Sequence, residues 1–380
     1  MIRPARRQDL DTLVSIENQS FITDRFSRRS FHYLLTKANA MTLVYEKKQV
    51  VIGYVMLLFH TGTSLARLYS LAVRPEYQGK GIGNKLLEAA EQAAQDHDCI
   101  SLRLEVRRDN SQAINFYKKS GYKQFGKIVK DYYEDHMDAL RFEKLLAPQF
   151  KPDLVKVPYF QQTLEFTCGP SALLMAMHAL DEKVPLDRTQ ELRLWRESTT
   201  IFMTSGHGGC GPYGLALAAL HRGFDVEVFV NETGVMFVDS VRSEDKKEVM
   251  KLVQDDFLQE LSTLPVKIHY GALTVDDLEK HFYNGGIPVV LISSYRIYKE
   301  KFPHWVVVTG FDERYIYMHD SFVDEDLNKS VTDVMNMPIL RSEFQHMAHY
   351  NKAGQKAALI IRRKKTNNKF NRGEEKNING

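Results

Sequence analysis

The residues best placed to do chemistry are Cys168, His304 and Asp320, with Gln162 standing six residues before the cysteine. Cys168 lies in the stretch FTCGPSAL, directly ahead of a Gly-Pro pair and an apolar run. A thiol at a helix N-terminus meets the positive end of the helix dipole and unpaired backbone N–H groups, which favour the thiolate. Pro170 suits the first turn, where its missing N–H costs nothing, and Ala172, Leu173, Met175, Ala176 and Leu180 predict an apolar helix face. Gln162 could offer its side-chain amide, together with the backbone N–H of Cys168, to a tetrahedral oxyanion.

A nucleophilic cysteine needs a base, and the base needs an orienting partner. His304 opens HWVVVTGF, whose valines predict a buried strand. A turn at Asp312, Glu313 and Arg314 leads to a second strand, YIYMHD, ending at Asp320. Such a hairpin brings its outer ends side by side, so His304 and Asp320 can touch. A lone buried cysteine and a satisfied core histidine would be the plainer reading, but donor, nucleophile, base and orienter together point to catalysis. A rival nucleophile exists at Cys210, in GHGGCGPYGL, although the residue six before it is Thr204, which has no amide. That glycine-rich loop is expected to wall a peptide cleft, with His207 a loop residue and His319 a strand residue.

Residues from about Val157 to Ile361 resemble the bacteriocin-processing peptidase family, papain-like cysteine peptidases that cut leader peptides after double-glycine sites. The resemblance implies a papain-like fold, its nucleophile on a helix N-terminus packed on an antiparallel sheet. It also implies the roles of oxyanion donor, nucleophile, general base and base-orienter for Gln162, Cys168, His304 and Asp320 in turn. The chain departs from that family in carrying no membrane transporter behind the peptidase and in an extra charged segment, Asn231 to Leu261. A Cys-His-Asp site attacks amides and thioesters alike, so an amidase or acyltransferase is an alternative for this domain, as is an inactive peptide-binding module.

A second constellation begins at Leu68. The run LYSLAV predicts a strand, Arg74-Pro75-Glu76-Tyr77 the turn leaving it, and QGKGIGNKLLEAAEQAAQ a glycine-rich loop opening a long helix. Successive N–H groups at such an entrance bind phosphate, and glycines at 79, 81 and 83 allow close approach. A strand SLRLEVR, a polar turn at Arg108-Asp109-Asn110 and a helix SQAINFYKKSGY follow. The chain opens with IRPARRQDLDTLVSIENQSF, a short strand running into an amphipathic helix with Leu10, Leu13 and Val14 on one face.

These features, over Met1 to about Leu146, resemble the GNAT superfamily of N-acetyltransferases, in its RimI-like branch, which acetylates protein N-termini. The resemblance implies a central mixed sheet of about seven strands flanked by helices, with acetyl-CoA as the cofactor. Its pyrophosphate would lie on Gln78, Gly79, Lys80, Gly81, Ile82 and Gly83, its pantetheine along Leu71, Ala72 and Val73, with Asn110 a further contact. Glu105 would take the proton of the attacking amine, directly or through water, and Tyr117 would return one to the departing thiolate. The plainer reading makes Glu105 a strand-end charge and Tyr117 a helix-core aromatic.

The 380 residues suit two or three domains, and 43% hydrophobic with 26% charged residues is ordinary for globular protein. We expect a mixed α/β two-domain chain: an acetyltransferase domain over residues 1–146, a linker over 147–156, a cysteine peptidase over 157–361 and a disordered basic tail over 362–380. Basic and acidic side chains, 51 and 48, nearly balance, which gives no case for a nucleic-acid partner. Three cysteines make no disulfide framework and suit the reducing cytoplasm. The longest apolar run, Val50 to Phe59, is too short to span a bilayer, and no metal site is expected. The expected activity is bifunctional, with a peptide or protein amine as acetyl acceptor and a peptide in the cysteine cleft. A peptidase exposes the kind of amine that such a transferase consumes.

Overall fold

The computed structural model describes residues 1–150, 152–200, 208–300, 302–349 and 354–364. The first domain runs β1 (Ile2–Pro4), α1 (Leu10–Ser20), α2 (Arg28–Thr36), β2 (Ala40–Lys47), β3 (Val50–Phe59), β4 (Leu65–Val73), α3 (Ile82–Asp96), β5 (Ser101–Arg107), α4 (Ser111–Lys119), β6 (Lys123–Gln124) and β7 (Ala139–Leu145). These strands form one seven-stranded mixed sheet in the order β1-β2-β3-β4-β5-β7-β6. Strand β3 is almost continuously apolar because both its faces are covered. On one face Leu13, Ile16, Phe31 and Leu34 of α1 and α2 meet Tyr54 and Met56. On the other, Leu86, Leu87, Ala90 and Ala94 of α3 meet Val55 and Leu57.

Strands β4 and β5 are the one parallel pair of that sheet and are hydrogen-bonded only from Leu65 to Arg67 against Ser101 to Arg103. Beyond this they part. Leu71, Ala72 and Val73 stay paired with β3, so their other backbone edge faces the gap. A bulge in β4 between Leu68 and Ser70 assists the divergence.

The second domain follows as β8 (Asp153–Leu154), α5 (Cys168–Leu180), α6 (Arg188–Ser198), α7 (Pro212–His221), β9 (Phe224–Val230), α8 (Glu244–Ser262), β10 (Lys267–Tyr270), α9 (Val275–Tyr283), β11 (Ile287–Ser293), α10 (Tyr295–Tyr298), β12 (Pro303–Phe311), β13 (Tyr315–His319), α11 (Val331–Val334), β14 (Met337–Leu340), α12 (Arg341–Met347) and β15 (Ala357–Arg363). Its sheet has the order β10-β9-β15-β11-β12-β13-β14, with β8 attached to the end of β12. Every pair is antiparallel except β9 with β10. The charged insertion contributes α8, and the strand β15 runs to Arg363, so Arg362 and Arg363, read as the start of a tail, end a strand instead.

Helix α5 differs from the expected one-sided amphipathic helix: every residue from Gly169 to Met177 is buried. It is walled by α6, α7, β11, β12 and β15, and a helix that is apolar all round belongs inside. Close packing sets its glycine. A Cβ on Gly169 would sit 3.1 Å from Trp305, 3.2 Å from Leu215 and 3.4 Å from Cys210. Where the two domains meet, Ile100, Tyr315 and Tyr317 form an apolar cluster with Ala147, Phe150 and Leu340. Among the described residues no helix is long and apolar enough to cross a membrane, and no group of His, Cys, Asp and Glu could hold a metal ion.

A tightly packed glycine of the second domain is Gly214 on α7, where a Cβ would meet the Ser198 carbonyl oxygen at 2.5 Å and the Phe257 ring at 2.8 Å. Ala is favoured over Gly within a helix by about 1 kcal/mol. Here a clash with backbone cannot be relieved by a side-chain rotation, so Gly214→Ala should destabilise the domain by about 1–3 kcal/mol in a denaturant titration. A gain in stability would show that α6 and α7 move apart without cost.

Candidate active sites

Cys168 opens α5 and is partly buried, with Thr167 before it as the cap residue. The turn that presents it is held by a carboxylate that sequence reasoning missed. Glu191 of α6 is wholly buried and accepts from the Thr163 N–H at 2.8 Å and its hydroxyl at 2.6 Å, from the Thr167 hydroxyl, and from Ser171 at 3.3 Å. Four donors onto one buried carboxylate offset its loss of hydration and fix the turn that leads to Cys168. The signal was faint: Glu191 shares a face of α6 with Leu194 and Ser198, its buried neighbours at helical spacing.

His304 is the second residue of β12, 2% exposed, and its Nε2 lies 2.6 Å from Oδ1 of Asp320. Cys168 is hydrogen-bonded to the same imidazole, which leaves Nδ1 to face the sulfur. Asp320 is wholly buried and fully used: Oδ2 takes the Tyr298 hydroxyl at 2.7 Å and Oδ1 the Phe322 N–H at 2.8 Å. Burial by itself lowers the pKa of His304, but the charge and hydrogen bond of Asp320, aided by Cys168, outweigh it and raise the value to about 10. Burial likewise raises that of Asp320, and His304 with Tyr298 turns the balance to a net lowering. An imidazolium with a carboxylate behind it and a sulfur before it is the resting arrangement of a cysteine nucleophile.

Gln162 completes the group through Ser321, the residue after Asp320. Its N–H donates to the Ser321 carbonyl at 3.0 Å, and its Oε1 accepts from the Ser321 hydroxyl at 2.8 Å. Its Nε2 donates to the carbonyls of Leu164 at 2.9 Å and Glu165 at 3.2 Å, just ahead of Cys168. The four residues expected to act together are thus gathered in one place.

Cys210 is near enough to Cys168 to feel its charge, but no imidazole or carboxylate among the described residues hydrogen-bonds its thiol. It is 4% exposed among apolar side chains, and burial pushes its thiol well above the ordinary value. Its carbonyl accepts from the Trp305 indole at 3.0 Å, a packing contact. The glycine loop is pinned to the end of α6 by the Trp195 indole, which donates to Gly208 at 2.8 Å. Thr204 and His207 lie outside the described residues. His319 bridges the Val157 carbonyl at 2.9 Å and the Asn336 N–H at 2.8 Å, and burial lowers its pKa to about 4, so it is a neutral structural link.

In the first domain the loop ahead of α3 has the form that an anionic ligand requires. Gly79 and Gly81 have φ of +71° and +74°, and a Cβ on either would meet nothing within 4 Å. Open space over two left-handed glycines at a helix N-terminus fits a pyrophosphate. Gly83 and Ile82 continue into α3, Gln78 donates to the Val73 carbonyl at 3.0 Å, and Lys80 donates to the Glu76 carbonyl at 2.7 Å. Asn110 caps α4, its side chain accepting from the Ala113 N–H at 2.9 Å. Tyr117 of α4 is 8% exposed between Phe116 and Tyr122, and burial raises its pKa.

Glu105, on β5 two residues past its last pairing with β4 and opposite Arg141 of β7, is held at both oxygens. Oε2 receives Arg67 Nε at 2.8 Å, and Oε1 receives the hydroxyl of Ser330 from the second domain at 2.7 Å. Arg67 and Ser330 were missed because nothing local in the sequence marks an arginine inside an apolar strand as the partner of a loop so far along the chain.

A family described as Peptidase_C39 like family matches residues 157–362, and the Acetyltransferase (GNAT) family matches residues 9–122. Among curated proteins, the chain is similar to one of Bacillus subtilis (strain 168) named for N-acetylation of alanine in ribosomal protein bS18, 34% identical over 135 residues, covering 36% of this chain and 87% of that protein. It is also 34% identical over 149 residues to the N-alpha-acetyltransferase of Sulfurisphaera tokodaii, covering 36% of this chain and 88% of that one. Among solved structures, the ribosomal-protein-S18-alanine N-acetyltransferase from Escherichia coli aligns with a TM-score of 0.36 at 23% identity, over 39% of this chain and 94% of that chain.

The raised pKa of His304 ties stability to pH. Its folded value, about 10, lies above the ordinary 6.5, so its charge contributes stability that is fully present below pH 6.5 and is lost as pH rises through 10. Asp320→Asn removes the cause. The melting-temperature gap between wild type and Asp320→Asn should be widest near pH 6 and narrow steadily toward pH 10; a gap independent of pH would show that His304 is neutral in the folded chain.

Proposed function

The chain belongs to the Peptidase_C39 like family through its second domain and to the Acetyltransferase (GNAT) family through its first, and we propose that it is a bifunctional enzyme, a cysteine peptidase joined to an N-acetyltransferase of peptide or protein α-amines. The observation that carries the peptidase reading is the imidazole of His304, set between Asp320 at 2.6 Å and the sulfur of Cys168.

In the peptidase, the Cys168 thiolate attacks the carbonyl carbon of a peptide bond. The oxygen, now an anion, takes the backbone N–H of Cys168 and an N–H that Gln162 withdraws from the Leu164 or Glu165 carbonyl. His304 gives its Nδ1 proton to the leaving amine as the C–N bond breaks. It then takes a proton from water, whose oxygen displaces the sulfur and frees the carboxylic acid. Asp320 keeps the ring oriented throughout, and Tyr298 keeps Asp320 in place. The cleft takes a peptide segment.

In the acetyltransferase, acetyl-CoA supplies the activated acetyl thioester. Gln78 to Gly83 would hold its pyrophosphate, and the free edge of Leu71 to Val73 would receive its pantetheine, with Asn110 beside α4 as a further contact. Glu105 would accept the proton of the incoming amine, and Tyr117 Oη would hold the proton that the departing thiol needs. The compartment consistent with a supply of acetyl-CoA and three unpaired cysteines is the cytoplasm.

Variants in each domain test these readings. With a peptide mixture as substrate, Cys168→Ala should abolish cleavage and alkylation by an electrophilic peptide mimic, while Cys210→Ala keeps at least about a tenth of the cleavage rate. Equal loss in both variants, each folded by circular dichroism, would end the assignment of Cys168. For the acetyltransferase, Gly81→Glu should abolish acetyl-CoA binding in calorimetry by placing an anion in the cradle. Tyr117→Phe should spare affinity and slow turnover by roughly tenfold or more; weakened binding with normal turnover would make Tyr117 a packing residue.

A further inference from the structure

The face of the first sheet that α1 and α2 leave uncovered, around β4, β5 and β7, carries Arg67, Arg103, Glu105, Arg141 and Glu143, and most of it is buried by the second domain. The covering segment is Asn328 to Asn336, between β13 and β14. Arg67, 3% exposed, is the hub. Its Nε holds Glu105 at 2.8 Å, its Nη1 holds the Asn328 carbonyl at 3.2 Å and Asp333 Oδ2 at 3.0 Å, and its Nη2 holds the Tyr132 hydroxyl at 2.7 Å. His60 Nε2 lies 2.9 Å from the other Asp333 oxygen. Arg103 donates to the carbonyls of Thr332 at 2.9 Å and Met335 at 2.5 Å.

We propose that the second domain completes the acetyltransferase site, with Ser330 and Asp333 as positioning residues that hold Glu105 and Tyr132 where an incoming amine needs them. The proposal rests on Glu105 as the proton acceptor. Ser330 Oγ accepts from the Thr332 N–H at 3.2 Å as it caps α11, and of the two carboxylates within reach of its hydroxyl, Glu105 Oε1 at 2.7 Å is closer than Asp333 Oδ2 at 3.3 Å, so the proton goes to Glu105. Asp333 supplies the second anion against Arg67, without which that cation would bear on Glu105 alone.

The segment walls the acceptor region, and the Glu105 side chain beneath it is 5% exposed. The loops bordering the open end of the β4–β5 gap are tied to the first domain: Glu134 N–H to Asp24 at 3.0 Å, Arg107 to Thr23 at 3.2 Å and to Asp135 at 2.9 Å. The glycine cradle for acetyl-CoA faces open space. Glu105 sits between these loops and Ser330, at the seam of the two domains, so the amine meets a site built from both.

The test uses the full chain, labelled acetyl-CoA and a mixture of synthetic hexapeptides with free α-amines. Kinetics are read beside hydrogen–deuterium exchange of residues 128–138, the loop that carries Tyr132. Ser330→Gly keeps most of the capping energy, since glycine is tolerated at that position. Ser330→Gly and Asp333→Asn should each lower kcat by roughly tenfold, leave the KM for acetyl-CoA within about twofold, and speed exchange in the loop, whereas Ser330→Thr should keep kcat and exchange near wild type. Retained alkylation of Cys168 reports that the second domain is folded in each variant. Wild-type kcat and exchange in Ser330→Gly would overturn the proposal, and so would faster turnover, which would mark the segment as a lid. Glu105→Gln separates the premise from the inference: undiminished turnover there would remove Glu105 as proton acceptor, and loop exchange would still judge the joint.

Discussion

The guanidinium of Arg67 carries a full charge where almost no water reaches it, and the joint between the domains is arranged to satisfy it. Taking such an ion out of water costs several kcal/mol, offset only when its hydrogen bonds are complete and counter-charges lie close. The first domain alone supplies Glu105 and Tyr132; the Asn328 carbonyl and Asp333 come from the second. A buried cluster missing one partner is destabilised by about 3–5 kcal/mol, so either domain alone would leave this surface far from satisfied. The two domains are therefore read as one folded unit across this face, in contrast to units on a free tether.

The connection from β13 to β14 serves both sites. At its start, Asp320 and Ser321 hold His304 and Gln162 beside Cys168; at its end, Ser330 and Asp333 hold Glu105 and Arg67 of the first domain. Between them Lys329 lies with its ammonium 4.1 Å from the ring centre of Tyr298, the residue that donates to Asp320. Burial lowers the pKa of that lysine. Two constellations that are far apart in sequence meet along a dozen or so residues of one loop.

What could be read from the sequence was local. The cysteine at a helix start, the hairpin joining His304 to Asp320, and the glycines ahead of α3 each depend on spacings of a few residues or on one turn, and the structure places them as their patterns predict. In the first domain β1, α1, β4, α3, β5 and α4 were legible from apolar patterning and the turns between them, whereas α2, β2 and β6 were not marked out. The apolar run after Cys168 correctly indicated a helix, but the number of elements that surround it could not be counted from its own residues. Glu191, Tyr298 and the Arg67 cluster were hidden for a different reason: a charged or hydroxylated residue in an ordinary pattern shows no sign of a partner, and Asp333 stands 266 positions from Arg67.

The position of β15 bears on how the chain comes into being. This strand, Ala357–Arg363, is inserted in the middle of the second sheet, between β9 and β11, with a ladder to each. During synthesis β9 and β11 emerge with an empty lane between them, and the sheet cannot close until the strand made last has arrived. At about 5–20 residues per second, the stretch from Leu146 to Arg363 takes on the order of 10–40 s to make. Through that interval the first domain, already complete, holds out its charged face to water, and the nascent second domain exposes two unpaired strand edges, a period in which a chaperone would find more to bind than on the finished protein.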